Sequence, residues 1–397
     1  MISSVFSAEV RNFAPSNLTD NMETNSPDYT MYALQLLGSL ALLMWGMKTM
    51  SDNLQKMAGP QLRHLLGTLT TNRFTGMLTG MLVTAAVQSS TATTVMTVSF
   101  VNASLLTLAQ AIAIIMGANI GTTLTAWIMS AGFSFNITDF VWPAYILAIA
   151  MMYWKRREDL GLFIFGLATL ILGLGMLRQT GADMNLGEQP DVLAFFSSFN
   201  PDSFSTTLLF LLLGGVLTMY VQSSAAVMAI TMILCSSGAL PIYQGIALVM
   251  GENIGTTVTS NLAALTASTQ ARRAAFAHMF FNLFGVAWML LVFHSFVDFV
   301  MSLVPGASLS IVLAMFHTCF NLANTAILIW FVPQIERITR FVIRERAAAE
   351  KKPVRTLRNP VVVGLGWLRA GFTRYALYMM RQSFVQDPLH KAVREAA

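Results

Sequence analysis

Gln88-Ser89-Ser90 is followed, 28 residues after its Gln, by Met116-Gly117-Ala118-Asn119-Ile120-Gly121-Thr122-Thr123. The same pair of motifs returns as Gln222-Ser223-Ser224 and Met250-Gly251-Glu252-Asn253-Ile254-Gly255-Thr256-Thr257, again 28 residues apart. The copies are offset by 134 residues and no gap is needed between them. Two near-matches of eight residues, each at a fixed distance from an identical triplet, mark an internal duplication. Upstream, Trp45-Gly46-Met47 parallels Leu174-Gly175-Met176.

The composition says where this duplication sits. Of 397 residues, 55% are hydrophobic and 11% charged, with a mean hydropathy of +0.61. A soluble domain carries roughly 25% charged residues, so an ordinary water-soluble enzyme is excluded. No charge occurs from Phe74 to Thr138, and Glu252 is the only one from Ser203 to Ala271. Such stretches belong in lipid. The formal charge of +5 comes from Lys and Arg in loops and the C-terminal tail, which reads as an orientation signal and excludes a nucleic-acid partner. Cys235 and Cys319 lie in apolar runs without metal-type spacing, so both are expected as free thiols. The first thirty residues lack the pattern of a cleavable signal, leaving insertion to the first crossing helix.

Hydropathy predicts crossing helices at about residues 32–50, 105–130, 140–154, 160–177, 240–266, 274–297 and 309–332. Two further apolar stretches, 74–103 and 205–237, are interrupted near their middles by the Gln-Ser-Ser triplets. A re-entrant hairpin of two short helices meeting at a polar tip explains both the length and the interruption. Cytoplasmic assignment of Lys48, Lys56, Arg63 and Arg73, of Lys155-Arg156-Arg157, of Arg272-Arg273 and of the basic tail fits seven crossings with each interrupted stretch either a hairpin or two full crossings, and puts the N-terminus outside. The two copies then begin with helices of opposite direction. The predicted fold is therefore an all-α, polytopic membrane protein with two inverted-topology repeats, each holding a re-entrant hairpin and a broken helix. Its parts are an N-terminal segment 1–31, repeats 32–154 and 155–300, an additional helix 301–333 and a basic amphipathic cytoplasmic tail 334–397. Inverted repeats of this kind build one central site that opens to either side.

The repeated side chains are neutral oxygen and nitrogen donors. Gln, Ser, Thr and Asn suit a hard cation such as Na⁺, and the amides at a hairpin tip suit an anion. Gly117, Gly121, Gly251 and Gly255 interrupt otherwise apolar helices, and Gly weakens a helix interior by roughly 1 kcal/mol against Ala. They are read as unwinding points that free backbone groups for a ligand; the competing reading is close helix packing through small residues. Glu252, whose mate is Ala118, is expected to modulate charge or pH response, since an ionisable group at this depth is costly. A smaller echo pairs His278 and Asn282 with His317 and Asn321, most simply as hydrogen-bonding groups between helices. No nucleophile with a partnered base and no phosphate loop is present, so no enzyme and no cofactor is expected.

At these residues the sequence resembles the bacterial branch of the type II sodium–phosphate cotransporter family. The duplicated Gln-Ser-Ser segment, the two Met-Gly-x-Asn-Ile-Gly-Thr-Thr segments and Ala275-Phe276-Ala277-His278-Met279-Phe280-Phe281-Asn282 carry the likeness over about residues 35–335. The resemblance implies sodium-driven import of inorganic phosphate across the inner (plasma) membrane by alternating access. It implies substrate contacts from Gln88, Ser89, Ser90, Asn119, Gln222, Ser223, Ser224 and Asn253. One sodium would lie at Gln222, Ser223, Thr256 and Thr259, with Gln88, Ser89, Thr122 and Thr125 as the counterpart. Na⁺, phosphate and the lipid bilayer are the implied partners, and homodimerisation is left open. The loop at 178–205 is short and has no Cys, unlike the large disulfide-bonded outer loop of animal members. Another oxyanion, proton coupling, or a signalling role carried by the tail are the competing functions.

Overall fold

A computed structural model describes residues 29–68, 70–134, 138–154 and 156–345. The described residues are helix and turn, with no strand among them. In order the α-helices are α1 (Tyr29–Thr68), α2 (Arg73–Val87), α3 (Ser90–Asn102), α4 (Leu108–Ser134), α5 (Val141–Met152), α6 (Glu158–Asp183) and α7 (Pro190–Ser197). They continue as α8 (Phe204–Val221), α9 (Ser224–Ser236), α10 (Ile242–Ala263), α11 (Thr269–Leu291), α12 (Phe293–Leu303), α13 (Leu309–Leu328) and α14 (Val332–Val342). Of the expected N-terminal segment 1–31, residues 29–31 belong to α1 and the rest lies outside the described residues, as does the tail past Glu345.

Six stretches are long and apolar enough to cross a bilayer: Thr30–Gly59, Leu108–Phe133, Glu158–Glu188, Phe204–Val221, Thr269–Leu291 and Leu309–Val342. The chain is thus an all-α, polytopic membrane protein. Some of the predicted crossings change. The one at 140–154 is α5, only 12 residues, about 18 Å at 1.5 Å per residue and short of a 30 Å hydrocarbon core. The one at 240–266 is α10, whose 22 residues suffice in length but carry Gln244, Glu252, Asn253 and Asn261. The segment predicted at 274–297 ends at Leu291, where Val292 leaves helical geometry (φ −122°, ψ 18°) and α12 begins.

The broken helices expected at the two Met-Gly-x-Asn-Ile-Gly-Thr-Thr segments are not broken. Helix α4 runs unbroken for 27 residues and α10 for 22. Their glycines serve close approach instead. A Cβ at Gly117 would lie 1.8 Å from Met77 O, and one at Gly251 1.9 Å from Leu211 O; at Gly80 and Gly214 it would meet Ile114 O at 2.0 Å and Leu248 O at 2.1 Å. Every one of these contacts recurs 134 positions on. The backbones of α2 and α4, and of α8 and α10, therefore touch where any side chain would hold them apart. This is how helices associate in lipid, where no hydrophobic gain separates a helix neighbour from an acyl chain and tight van der Waals packing decides.

The same device joins α1 to α6. Gly166 opposes Met50 and Gly46, and Gly173 opposes Leu43 and Ser39, so the numbering rises in one helix as it falls in the other and the two run antiparallel. Buried apolar side chains fall into two groups. One, with Val83, Val98, Ile112, Ile115 and Phe281, surrounds α2, α3, α4 and α11. The other, with Phe210, Met232, Ile246, Phe316 and Phe320, surrounds α8, α9, α10 and α13.

Candidate functional site at the hairpin tips

Helices α2 and α4 are parallel, since Met77 faces Gly117, Met81 and Thr84 face Gly121, and Thr125 Oγ1 donates to Gln88 Oε1 at 3.0 Å. At Gln88 the chain reverses, and α3, 13 residues long, returns it toward the start of α4. The turn therefore lies level with Thr125, about nine residues or ~14 Å short of the end of α4 at Ser134. Helix α2 itself has 15 residues, about 22 Å, too few to cross.

The two turns have one geometry. Gln88 has φ 55°, ψ 28° and Gln222 has φ 57°, ψ 27°, both left-handed; Ser89 (−149°, 101°) and Ser223 (−144°, 104°) are both extended. Each Gln ends its helix with its N–H donating to a carbonyl one turn back, Thr84 O at 2.7 Å and Thr218 O at 2.8 Å. Left-handed Gln is uncommon and costs about 1 kcal/mol or more, so its occurrence at both tips marks a strained turn held by its surroundings. Each Ser then starts the next helix as its N-cap. Ser89 Oγ accepts from Ala92 N and Ser223 Oγ from Ala226 N, both at 3.2 Å. Ser is favoured at this position because its short side chain satisfies an orphan amide.

What remains at each tip is chemically two-sided. The first helix ends in carbonyls and the second begins in amides, so partial negative and partial positive charge meet within one turn. Among the described residues the amides of Ser90 and Thr91, and of Ser224 and Ala225, have no acceptor, and the hydroxyls of Ser90 and Ser224 make no hydrogen bond. An oxyanion can be held by amides and hydroxyls at the one end and a small cation by oxygens at the other. The two tips are drawn into one assembly because α3 packs on α10 and α9 packs on α4.

The remaining sequence-predicted residues divide. Gln88 and Thr125 are joined directly, whereas among the described residues neither Gln222 nor Thr259 has a side-chain hydrogen-bond partner. Thr122 and Thr256 donate to their own helix, at Ala118 O (3.0 Å) and Asn253 O (2.9 Å). Asn119 Nδ2 donates to Ile115 O at 3.0 Å, but its mate Asn253 turns its Oδ1 to His317 Nε2 at 3.3 Å and leaves Nδ2 unpartnered. Glu252 is 3% exposed, its Oε1 has no partner, and among the described residues it forms no ion pair. The histidines do bind between helices: His278 Nδ1 meets Ser260 Oγ at 3.0 Å. Their own carbonyls accept from Asn282 and Asn321. Residues that the sequence reading passed over are Thr84 and Thr218, which stand one turn before each Gln and are themselves 134 positions apart.

A bundle of apolar helices with two such helical hairpins defines an all-α, polytopic membrane protein. The profile of the Na⁺/Pi-cotransporter family matches residues 42–179 and 202–317, and the chain belongs to that family. It is 30% identical over 313 residues to "Putative inorganic phosphate export protein YjbB" of Escherichia coli K12, across 79% of this chain and 56% of that protein. The chain thus spans about half the length of this relative. It is 28% identical to "Uncharacterized protein YqeW" of Bacillus subtilis across 78% of this chain and 97% of that one. With human "Sodium-dependent phosphate transport protein 2B" it shares 39% identity over 168 residues, 38% of this chain and 24% of the other. No solved structure matches the chain.

Proposed function

We propose that the protein carries inorganic phosphate across the cell's inner membrane, coupled to Na⁺, by alternating access at a site built from both hairpin tips. The observation that carries this reading is the identical geometry of Gln88-Ser89 and Gln222-Ser223, a strained turn repeated to within a few degrees. Phosphate is assigned to the amides and hydroxyls of Ser90 and Ser224, with Gln88, Ser89, Asn119, Gln222, Ser223 and Asn253 around it. Sodium is assigned to Gln222, Ser223, Thr256 and Thr259, with Gln88, Ser89, Thr122 and Thr125 as the counterpart. Neutral ligands release their cargo readily, which a carrier requires. The antiparallel packing of α1 and α6 supports inverted repeats over 32–154 and 155–300, and the short α2 and α3 support a re-entrant first hairpin.

Direction follows from coupling. An inward sodium gradient drives uptake, whereas an uncoupled carrier lets phosphate run outward when it is concentrated inside; the name of the Escherichia coli relative favours this second reading. Purified protein in proteoliposomes, given radiolabelled phosphate with and without a sodium gradient of either sign, separates them. Sodium-stimulated uptake is the expected result. Flux that ignores sodium supports the export reading, and absence of any phosphate flux removes both.

A further inference from the structure

We infer that the hydroxyls of Thr84 and Thr218 are ligands of a monovalent cation, one at the carbonyl end of the first helix of each hairpin; this rests on the sodium site proposed above and extends it. Buried threonines in these helices ordinarily donate to a carbonyl one turn back. Thr79 does so to Thr75 O (2.8 Å), Thr97 to Thr93 O (2.8 Å) and Thr231 to Val227 O (2.9 Å). Thr84 and Thr218 are 0% and 1% exposed, yet neither hydroxyl has any partner. A buried hydroxyl left without a partner is costly, so one such exception needs an explanation and the same exception at both repeat mates needs a common one. Thr94 also lacks a partner, but its mate is Met228 and the exception is not duplicated.

The surroundings select the ligand. Each Thr lies in the close contact between hairpin and motif helix: a Cβ at Gly121 would stand 2.7 Å from Thr84 Cβ, and one at Gly255 2.7 Å from Thr218 Cβ. One turn on are Gln88 and Gln222, and Thr125 Oγ1 donates to Gln88 Oε1. The ends of α2 and α8 are the negative ends of their dipoles, which favour a cation and oppose an anion. The oxygens named here are amide, hydroxyl and backbone oxygens; no charged residue occurs from Phe74 to Thr138, and Glu252 is the only one from Ser203 to Ala271. Divalent cations are held chiefly by carboxylates, so this donor set fits a single positive charge. In this arrangement Gln88 and Thr125 close over the cation from one side and Thr84 from behind.

The test reads cation binding apart from transport. Wild type, Thr84→Val, Thr218→Val, Thr84→Ser and Thr218→Ser, purified in detergent, are unfolded by heat across a NaCl series balanced with choline chloride. The expected result is that Na⁺ stabilises the wild type, that each Val variant needs about tenfold more Na⁺ or greater for half its effect, the scale of losing one charge-assisted contact, and that Ser restores the wild-type midpoint. Thr→Ala serves in place of any Val variant that does not fold. Val or Ala variants with the wild-type sodium midpoint overturn the inference while wild-type sodium-driven uptake leaves the transport reading intact. A wild type with neither sodium stabilisation nor sodium-stimulated phosphate flux overturns both.

Discussion

Replacing Gly251 by Ala separates the two readings of the motif glycines. If Gly251 were an unwinding point, Ala would strengthen the helix by about 1 kcal/mol. The geometry demands the opposite. The new Cβ would sit 1.9 Å from Leu211 O, 2.7 Å from Gly215 N and 2.9 Å from Leu211 C, all backbone atoms that no rotamer change can move. Ordinary contact lies near 3.5 Å, so α8 and α10 must part by roughly 1.5 Å along that line, and a gap of that size forfeits a large share of the dispersion energy between them. Overpacking typically costs 1–3 kcal/mol; with backbone on both sides we expect about 3 kcal/mol, less the ~1 kcal/mol gained in propensity. The net expectation is a loss of about 2 kcal/mol. Thermal unfolding of the purified variant measures it, with Gly38→Ala as the control, since a Cβ there meets nothing within 4 Å. Gly251→Ala equal to or more stable than wild type would refute the packing argument and restore the unwound helix.

Other expectations follow from the same contacts. Ser223→Ala removes the acceptor for Ala226 N and should cost about 1 kcal/mol of stability while reducing phosphate flux by far more than that loss of folded protein explains; full flux would remove Ser223 from the site. Glu252→Gln removes a buried carboxyl with no ion-pair partner among the described residues, so the melting temperature should hold or rise while the pH profile of transport flattens. An unchanged profile leaves Glu252 without a part in transport. Arg273, 4% exposed on α11, donates to Ile343 O at 2.9 Å and pairs with Glu345 at 3.4 Å, fastening the chain just after α14. Arg273→Ala should increase protease cleavage near residue 343, read by mass spectrometry of the fragments, and an unaltered pattern would deny Arg273 that role.

Much of this site could be read from one chain because its signals are local. Gln-Ser-Ser names a helix stop and a helix start in three letters, since Ser caps the amide three residues ahead through a contact within a single turn. The 134-residue offset made the second hairpin legible once the first was seen. The glycines were not legible, because weakening one's own helix and admitting a neighbour's backbone leave the same residue in the sequence. The left-handed Gln was hidden too: its conformation is imposed by the turn and not by its own preference. Thr84 and Thr218 carry the same offset as the motifs, but nothing local distinguishes them from threonines that bond to their own helix.

The amino-acid sequence by itself determined that this protein lives in lipid, that it is built twice over, and which neutral residues are duplicated, because burial in hydrocarbon and helix capping act within a few residues. Only the tertiary structure decided that α4 and α10 run unbroken, that α5 is too short to cross, that α1 and α6 oppose each other, and that the hydroxyls of the repeat mates Thr84 and Thr218 lie buried without partners. Those outcomes depend on distances between helices far apart in the chain, and a Cβ's worth of space at Gly117 or Gly251 is defined only when the facing backbone arrives.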